Sequence, residues 1–135
     1  MPDHTLKNLR DDLPDIAPDH GMEGMAAHFG AHALEMQNAG VSLQRLDPGV
    51  RVPFGHSHGR QEELYVVVAG AGRVKLDDEI IDVRTWDAIR VPGPVMRAFE
   101  AGDEGLELVA FGSPRDPDAP PGGGDAEMVP GWWSD

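Results

Sequence analysis

Residues 48–70, PGVRVPFGHSHGRQEELYVVVAG, decide how this chain can fold. The stretch contains His56 and His58, then a pair of carboxylates, and then an apolar run that ends at a glycine. Because alternate residues of a β-strand point to the same face, an extended run directs the imidazoles of His56 and His58 to one side and Ser57 to the other. Two parallel imidazoles supply half of a metal site.

A carboxylate from the next strand would complete a two-His, one-carboxylate set with open coordination positions. Such a set suits Fe(II) and also accepts Mn, Ni, Cu or Zn. The competing interpretation is a pair of polar histidines on an exposed edge strand without a metal. Glu63 and the strand pattern that follows the histidines favour the metal site. Ligating imidazoles must be neutral, so metal affinity should fall as pH drops through the histidine range.

The stretch resembles the first motif of the cupin family, which reads Pro-Gly, five residues, His-x-His, three or four residues, Glu, six residues, Gly. Four residues separate Glu63 from His58, and six separate it from Gly70. Glu63 therefore matches the metal-binding Glu of the family, whereas Glu62 does not keep the distance to the glycine. The resemblance implies that His56, His58 and Glu63 are the metal ligands.

One departure from the first motif is visible. Six residues, rather than five, separate Gly49 from His56. We expect a one-residue bulge or a longer turn here, which Gly55 can accommodate.

The second cupin motif, Gly, five residues, Pro-x-Gly, two residues, His, aligns with residues 86–97, WDAIRVPGPVMR. Pro92 matches, but Trp86 and Pro94 replace the two glycines, and Arg97 replaces the histidine that is the fourth metal ligand. The resemblance therefore implies a site that lacks this ligand. It covers residues 41–111 and implies an all-β fold, a cupin-type antiparallel β-barrel or jelly roll.

Arg97 is the most informative departure. Strand alternation predicts that Arg97 points inward with Val95 and Phe99. A guanidinium stays protonated and cannot coordinate a cation. Either Arg97 lies beside a metal and binds the carboxylate or phosphate of a ligand, or it pairs with Glu62 or Glu63 in place of a metal. We favour the first arrangement, because a buried ion pair must offset a large desolvation cost.

Composition limits the class of protein. A chain of 135 residues suffices for a single domain, and the absence of cysteine excludes disulfides and thiolate sites. A net charge of −13 disfavours binding to nucleic acid or to an anionic membrane. No apolar run is long enough to cross a bilayer, and the first twelve residues do not resemble a signal peptide, so we expect a cytoplasmic protein.

From residue 41 onward the apolar residues alternate, which predicts about eight short strands of a sandwich or barrel. Turns are expected at Asp77-Asp78 and at residues 69–72, AGAG. Residues 64–68 are apolar on both faces, which predicts that the N-terminal arm or a second subunit covers the outside of this strand. We therefore expect a homodimer.

The chain divides into four predicted parts. Residues 1–40 form an N-terminal arm with a first strand and a short helical turn packed on the barrel, and residues 41–112 form the barrel. Residues 113–126 are a flexible Pro/Gly-rich linker. Residues 127–135 are a tail whose Trp132 and Trp133 anchor it to its own barrel or to a dimer partner, the alternative being a lid over the pocket.

Other candidate sites are disfavoured. His28 and His32 have the spacing of a metal-binding helix, but no Glu follows in the required position and Gly30 interrupts the helix. Residues 122–124, GGG, lack the Lys and Ser/Thr of a phosphate loop. Ser57 faces away from the histidines, which argues against hydrolase chemistry.

The sequence predicts a small cupin that binds a divalent transition metal (Fe, Mn, Ni, Cu or Zn) and a small polar or anionic metabolite near Arg97. Such a protein could be a metal-dependent oxygenase, isomerase or lyase. The alternative is a non-catalytic metabolite-binding or regulatory cupin, metal-free, with Arg97 paired to a carboxylate. A third hypothesis is an interaction protein whose tryptophan tail binds another chain. Three further side chains are expected around the pocket: Gln44, Tyr65 and Trp86.

Overall fold

The computed structural model describes residues 2–119 and 124–135 and is built almost entirely of antiparallel strands. A short 3-10 helix, Pro18–His20, comes first. The strands that follow are β1 Met25–Phe29, β2 Gly40–Leu46, β3 Phe54–His58, β4 Glu62–Leu76, β5 Glu79–Arg84, β6 Ala88–Val91, β7 Arg97–Ser113 and β8 Ala126–Pro130. The predicted all-β antiparallel architecture is confirmed. Among the described residues, no helix has the length and apolar character needed to span a membrane.

Two long strands organise the sheet. β7 pairs with β2, β3 and β4, and β4 pairs with β5, β6 and β7, so the eight strands form one sheet that curls on itself. The turn expected at residues 69–72 is wrong, since β4 continues through these residues with register shifts on both sides of Ala69–Gly70. A side chain at Gly70 or Gly72 would collide with carbonyl oxygens of β7. These glycines therefore permit the close approach of two strands, not a reversal of the chain.

The core lies on the inner face of β4 and β7. Tyr65 and Val67 on β4 are buried against Phe99 and Leu108 on β7, whereas Leu64 on the outer face of β4 is 39% exposed. Alternation thus sorts the apolar run of β4 into an inner set that fills the barrel and an outer set that is partly exposed.

The N-terminal residues run beside β1. The Asp15 carboxylate accepts hydrogen bonds from the backbone N–H groups of Ala17 and Ala27, and Ile16 N–H donates to the Ala27 carbonyl. His28 lies on β1, with Nδ1 3.0 Å from the Leu13 carbonyl. A helical pairing of His28 with His32 therefore does not form.

The C-terminal residues add a strand that alternation alone did not reveal. β8 pairs with β3 in an unbroken register from Phe54 to His58, so the bulge expected at Gly55 is absent within these strands. A Cβ atom at Gly55 would lie 2.6 Å from the ring of Trp132, which explains the glycine by close approach. Trp133 is buried beneath the guanidinium groups of Arg51 and Arg73. Both tryptophans thus pack on their own barrel.

The predicted linker, residues 113–126, is described only in part. Residues 120–123, which include two glycines of the GGG stretch, lie outside the described residues.

Candidate metal centre

Three neighbouring strands bring the candidate site residues together. β3 contributes His56 and His58 from alternate positions, and β4 contributes Glu63 and Tyr65 from its inner face. Arg97 is the register partner of His56 on β7. Only residues 59–61 join β3 to β4, and Oε1 of Glu63 at the start of β4 lies within hydrogen-bond distance of both imidazoles.

The site converges on one oxygen atom. Nε2 of His56 lies 3.2 Å from Oε1 of Glu63, and Nε2 of His58 lies 3.1 Å from the same atom. One ligand atom from each of these three residues lies within 4.8 Å of the others. The two imidazole rings meet edge to face with centroids 5.2 Å apart.

This donor set fits a transition metal ion. Ligand bonds of about 2.0–2.2 Å at near-right angles place neighbouring donor atoms roughly 3 Å apart, and the N–O separations here match that spacing. Imidazole and carboxylate are also the donors that Fe, Mn, Ni, Cu and Zn accept. His56, His58 and Glu63 could therefore hold a metal ion.

Tyr65 fixes the Glu63 carboxylate from inside the barrel. Its hydroxyl donates to Oε1 of Glu63 over 2.6 Å and lies 3.4 Å from Nε2 of His56. Burial followed by the Glu63 charge raises the pKa of Tyr65 well above its usual value. Burial alone would raise the pKa of Glu63, but hydrogen bonds with His56, His58 and Tyr65 hold it well below its usual range. The centre therefore contains an ionised carboxylate and a protonated phenol.

Arg97 lies inside the barrel, as alternation predicts, and is 0% exposed. Nη2 donates to the Pro92 carbonyl over 2.9 Å, and Nη1 lies 3.5 Å from Oε1 of Glu63. Within the part of the chain that the structure describes, Nε and Nη1 have no hydrogen-bond partner. A buried guanidinium thus presents unused donors beside the carboxylate.

Asp125 is a site residue that sequence reasoning missed. Its Oδ1 accepts a hydrogen bond from Nδ1 of His58 over 2.9 Å, and its Oδ2 accepts from the backbone N–H groups of Arg60 and Gln61. Burial would raise the pKa of Asp125, but the backbone hydrogen bonds and His58 lower it to about 2. No local motif singles out Asp125, because only the pairing of β8 with β3 brings it to His58.

His58 lies between two carboxylates. Burial would lower the pKa of His58, but its hydrogen bonds with Glu63 and Asp125 outweigh that effect and raise it. In the metal-free protein, the protonated ring of His58 therefore donates one hydrogen bond to each carboxylate.

Two further residues were expected around the pocket, Trp86 and Gln44. Trp86 is 75% exposed, so its expected place beside the ligand is wrong. It adopts φ 76°, the left-handed conformation that the glycine of the second motif would supply. Gln44 lies on β2, where its Nε2 donates to Oγ of Ser42 over 3.1 Å, and its contact with a ligand stays a prediction.

Solved structures with a similar fold include cupins and a dioxygenase. A cupin protein from Bacteroides fragilis is 23% identical, with a TM-score of 0.69 over 84% of this chain and 86% of its own. KdgF from Halomonas sp. is 24% identical, with a TM-score of 0.65 over 84% of this chain and 98% of its own.

Salicylate 1,2-dioxygenase from Pseudoaminobacter salicylatoxidans, solved in complex with gentisate, is 20% identical, with a TM-score of 0.61 over 73% of this chain. The match spans 29% of the dioxygenase. No protein-family model and no curated protein sequence matches the chain. At these identities the likeness establishes the fold.

Proposed function

We propose that this chain, whose fold is that of the cupins, binds a divalent transition metal through His56, His58 and Glu63 and holds a small anionic molecule against Arg97. The observation that carries the proposal is the convergence of both Nε2 atoms on Oε1 of Glu63, at 3.2 and 3.1 Å. Fe, Mn, Ni, Cu and Zn all accept this donor set.

The side chains around the ligands define an open and a closed side of the site. The side chain of His56 is 25% exposed, whereas that of His58 is 6% exposed. Tyr65 closes the inner side, because its ring is buried against Phe99. A ligand therefore approaches from the His56 side. A metal ion held by His56, His58 and Glu63 would act as a Lewis acid and polarise an oxygen atom of that ligand.

Arg97 supports an anionic ligand. Two of its donors, Nε and Nη1, have no hydrogen-bond partner among residues 2–119 and 124–135. Each unpaired buried donor costs about 1–3 kcal/mol, so an oxygen that accepts from either of them is bound favourably. The chain as a whole carries a net charge of −13, which repels anions, whereas the guanidinium of Arg97 attracts an anion at this site.

The class of ligand follows from charge and room. The inner barrel is filled by apolar side chains, so a ligand of this site must be small. The dioxygenase, part of which has a similar fold, was solved in complex with gentisate, a small organic acid, and this supports an organic acid as the ligand here. Oxygenase, isomerase and lyase reactions are the classes that a metal here would serve.

A homodimer is part of the proposal. Leu64 and Phe111 are cross-strand neighbours on the outer face of the sheet and are 39% and 43% exposed. A second copy that covers this face would bury both side chains. Multi-angle light scattering should give the mass of a dimer, and Phe111→Ser should shift it to the monomer; a monomeric wild type removes this part.

The alternative function is a metal-free metabolite-binding or regulatory cupin. The ion pair between Nη1 of Arg97 and Oε1 of Glu63 favours it, because the guanidinium already neutralises the carboxylate that a metal would need. In that arrangement the imidazoles and Arg97 bind an anion in the absence of a metal ion. The first function predicts that anion binding requires the metal, and the alternative predicts that it does not.

The metal site is tested by stripping the protein with a chelator and titrating it with zinc and with manganese in a calorimeter. We expect one ion per chain. His58→Ala should weaken binding by more than the roughly 10–100-fold that is typical for loss of an outer partner. His20→Ala is the matched control, because His20 is exposed and outside the site. A wild-type protein that binds neither metal would refute the metal-binding function.

The anion site is tested with benzoate and its neutral analogue benzamide. We expect benzoate to bind the zinc-loaded protein and benzamide not to bind. Arg97→Met should abolish the preference, and Arg97→Lys keeps the charge as a second variant if the first does not fold. Equal binding of benzoate to the stripped protein would favour the metal-free function, and equal binding of both probes would contradict an anion site.

A further inference from the structure

We infer that Asp125 is a positioning residue of the metal centre, which fixes the ring of His58 so that Nε2 faces Glu63. The inference rests on the proposed metal site and assigns a role to the C-terminal segment of the chain. Its basis is the 2.9 Å hydrogen bond from Nδ1 of His58 to Oδ1 of Asp125.

The Asp125 carboxylate is held at both oxygens. While Oδ1 accepts from His58, Oδ2 accepts from the backbone N–H groups of Arg60 and Gln61, at 2.6 and 3.0 Å. The backbone carbonyl of Asp125 also accepts from the N–H of Gly59 over 3.2 Å. The residue therefore bridges the whole β3–β4 turn, and its carboxylate cannot rotate without breaking bonds to that turn.

This bond decides which nitrogen of His58 is free. A carboxylate has only acceptors, so Nδ1 of His58 must carry the proton that is shared with Asp125. In the neutral ring the lone pair then lies on Nε2, which is the atom that faces Oε1 of Glu63. The ring is thus set in the tautomer and the orientation that a metal ion requires.

The two imidazoles differ in this respect. The ring of His56 contacts Glu63 and Tyr65 through Nε2, and for the residues that the structure describes, no hydrogen bond involves its Nδ1. Its side chain is also more exposed, 25% against 6% for His58. His58 is therefore the pre-organised ligand and His56 the adaptable one.

The C-terminal segment brings Asp125 to the site by strand pairing. Ala126 is the register partner of His58, so the residue before it reaches the end of β3 and the turn beyond. At the other end of the segment, Arg51 binds the Trp133 carbonyl and the Asp135 carboxylate. Strand β8 is thus held at both ends.

The test compares Asp125→Ala with Glu127→Ala, an exposed residue two positions along the same segment. Zinc affinity is measured by competition with a chromophoric chelator. Asp125→Ala should bind zinc about 10–100-fold more weakly than the wild type, the range typical of an outer hydrogen-bond partner, and Glu127→Ala should stay within about twofold. The zinc affinity of Asp125→Asn should fall between those of Asp125→Ala and the wild type. An amide has one acceptor oxygen, so it can accept either from His58 or from the N–H groups of the turn, but not from both.

A spectroscopic measurement separates positioning from a loss of structure. With ¹⁵N-labelled histidine in the zinc-loaded wild type, the Nδ1–H of His58 should give a signal protected from exchange with water. Asp125→Ala should lose that protection, while its backbone amide spectrum should still be that of a folded protein. If that variant does not fold, the affinity and the ring signal of Asp125→Asn decide.

The outcomes distinguish the two proposals. Wild-type zinc binding with unchanged affinity and an unchanged ring signal in the Asp125 variants overturns the positioning role and leaves the metal site intact. A wild type that binds no zinc overturns both.

Discussion

Nη1 of Arg97 lies 3.5 Å from Oε1 of Glu63, the oxygen on which both imidazoles also converge. In the sequence alignment with the second cupin motif, Arg97 stands where the family has its histidine ligand. A positive charge so near the donor atoms repels a divalent ion, and it also shares the carboxylate that the ion would bind. Arg97 therefore weakens metal binding and strengthens anion binding at the same site.

Arg97→His should raise zinc affinity at least about tenfold, because it removes the charge and adds a ligand. Arg97→Met separates these effects, since it removes the charge alone and should raise affinity less. Arg90→His is the control, because Arg90 is largely exposed and pairs with Glu62. Calorimetric titration measures all three. An Arg97→His affinity equal to that of the wild type would count against the alignment of Arg97 with the missing ligand.

Tyr65 is the single tyrosine of the chain, so its ionisation can be followed by ultraviolet absorbance. Burial and the Glu63 charge raise its pKa, so tyrosinate should appear only well above pH 10. Glu63→Gln removes the charge and should lower that pKa while the ring stays buried. Circular dichroism at each pH verifies that the chain is folded. Tyrosinate that forms near pH 10 in the folded wild type contradicts the buried hydrogen bond to Glu63.

The metal-free protein should lose stability as pH rises through the pKa of His58 in the folded state. The pKa of His58 is raised above 6.5 in the folded protein, so its contribution is fully present below pH 6.5 and is lost as pH rises through the folded pKa. The zinc-loaded protein should show the opposite trend, because protons compete with the metal for His58.

Urea unfolding from about pH 6 to about pH 8.5, with and without chelator, measures both trends. His58→Gln should flatten the slope of the metal-free protein, and His20→Gln should leave it unchanged. A metal-free slope that survives His58→Gln shows that another group is responsible.

The candidate metal ligands could be predicted because the information that identifies them is local. His56 and His58 share a face by alternation, and Glu63, seven residues after His56, is identified by its match to the first cupin motif. The inward direction of Arg97 follows from the same period of two.

Other features depend on contacts between distant parts of the chain. Asp125 is 67 residues from His58, and only the pairing of β8 with β3 brings them together. Gly70 is ambiguous by itself, because a glycine serves a turn and a close strand approach equally well. Trp86 is a case in which sequence gives no warning, because it adopts the left-handed conformation although it is not a glycine.

The arginine clamp on Trp133 should be a main anchor of the C-terminal segment. Trp133 is buried, and the guanidinium groups of Arg51 and Arg73 lie 4.3 and 5.4 Å from its ring centroid. Glu100 accepts from both arginines and so holds them over the ring. Trp133→Ala should lower the free energy of unfolding by about 3 kcal/mol, through lost burial and lost cation–π contact.

Trp133→Phe distinguishes the ring from its N–H group. No partner for Nε1 of Trp133 is found in the described ranges, so phenylalanine keeps an aromatic face and removes a buried unpaired donor. Its cost in urea unfolding should stay within about 1 kcal/mol, and Trp86→Ala, at an exposed site, should cost about 0.5 kcal/mol or less. Equal effects of Trp133→Ala and Trp86→Ala would contradict the anchor, because a ring that carries the segment must cost more to remove than one that faces solvent.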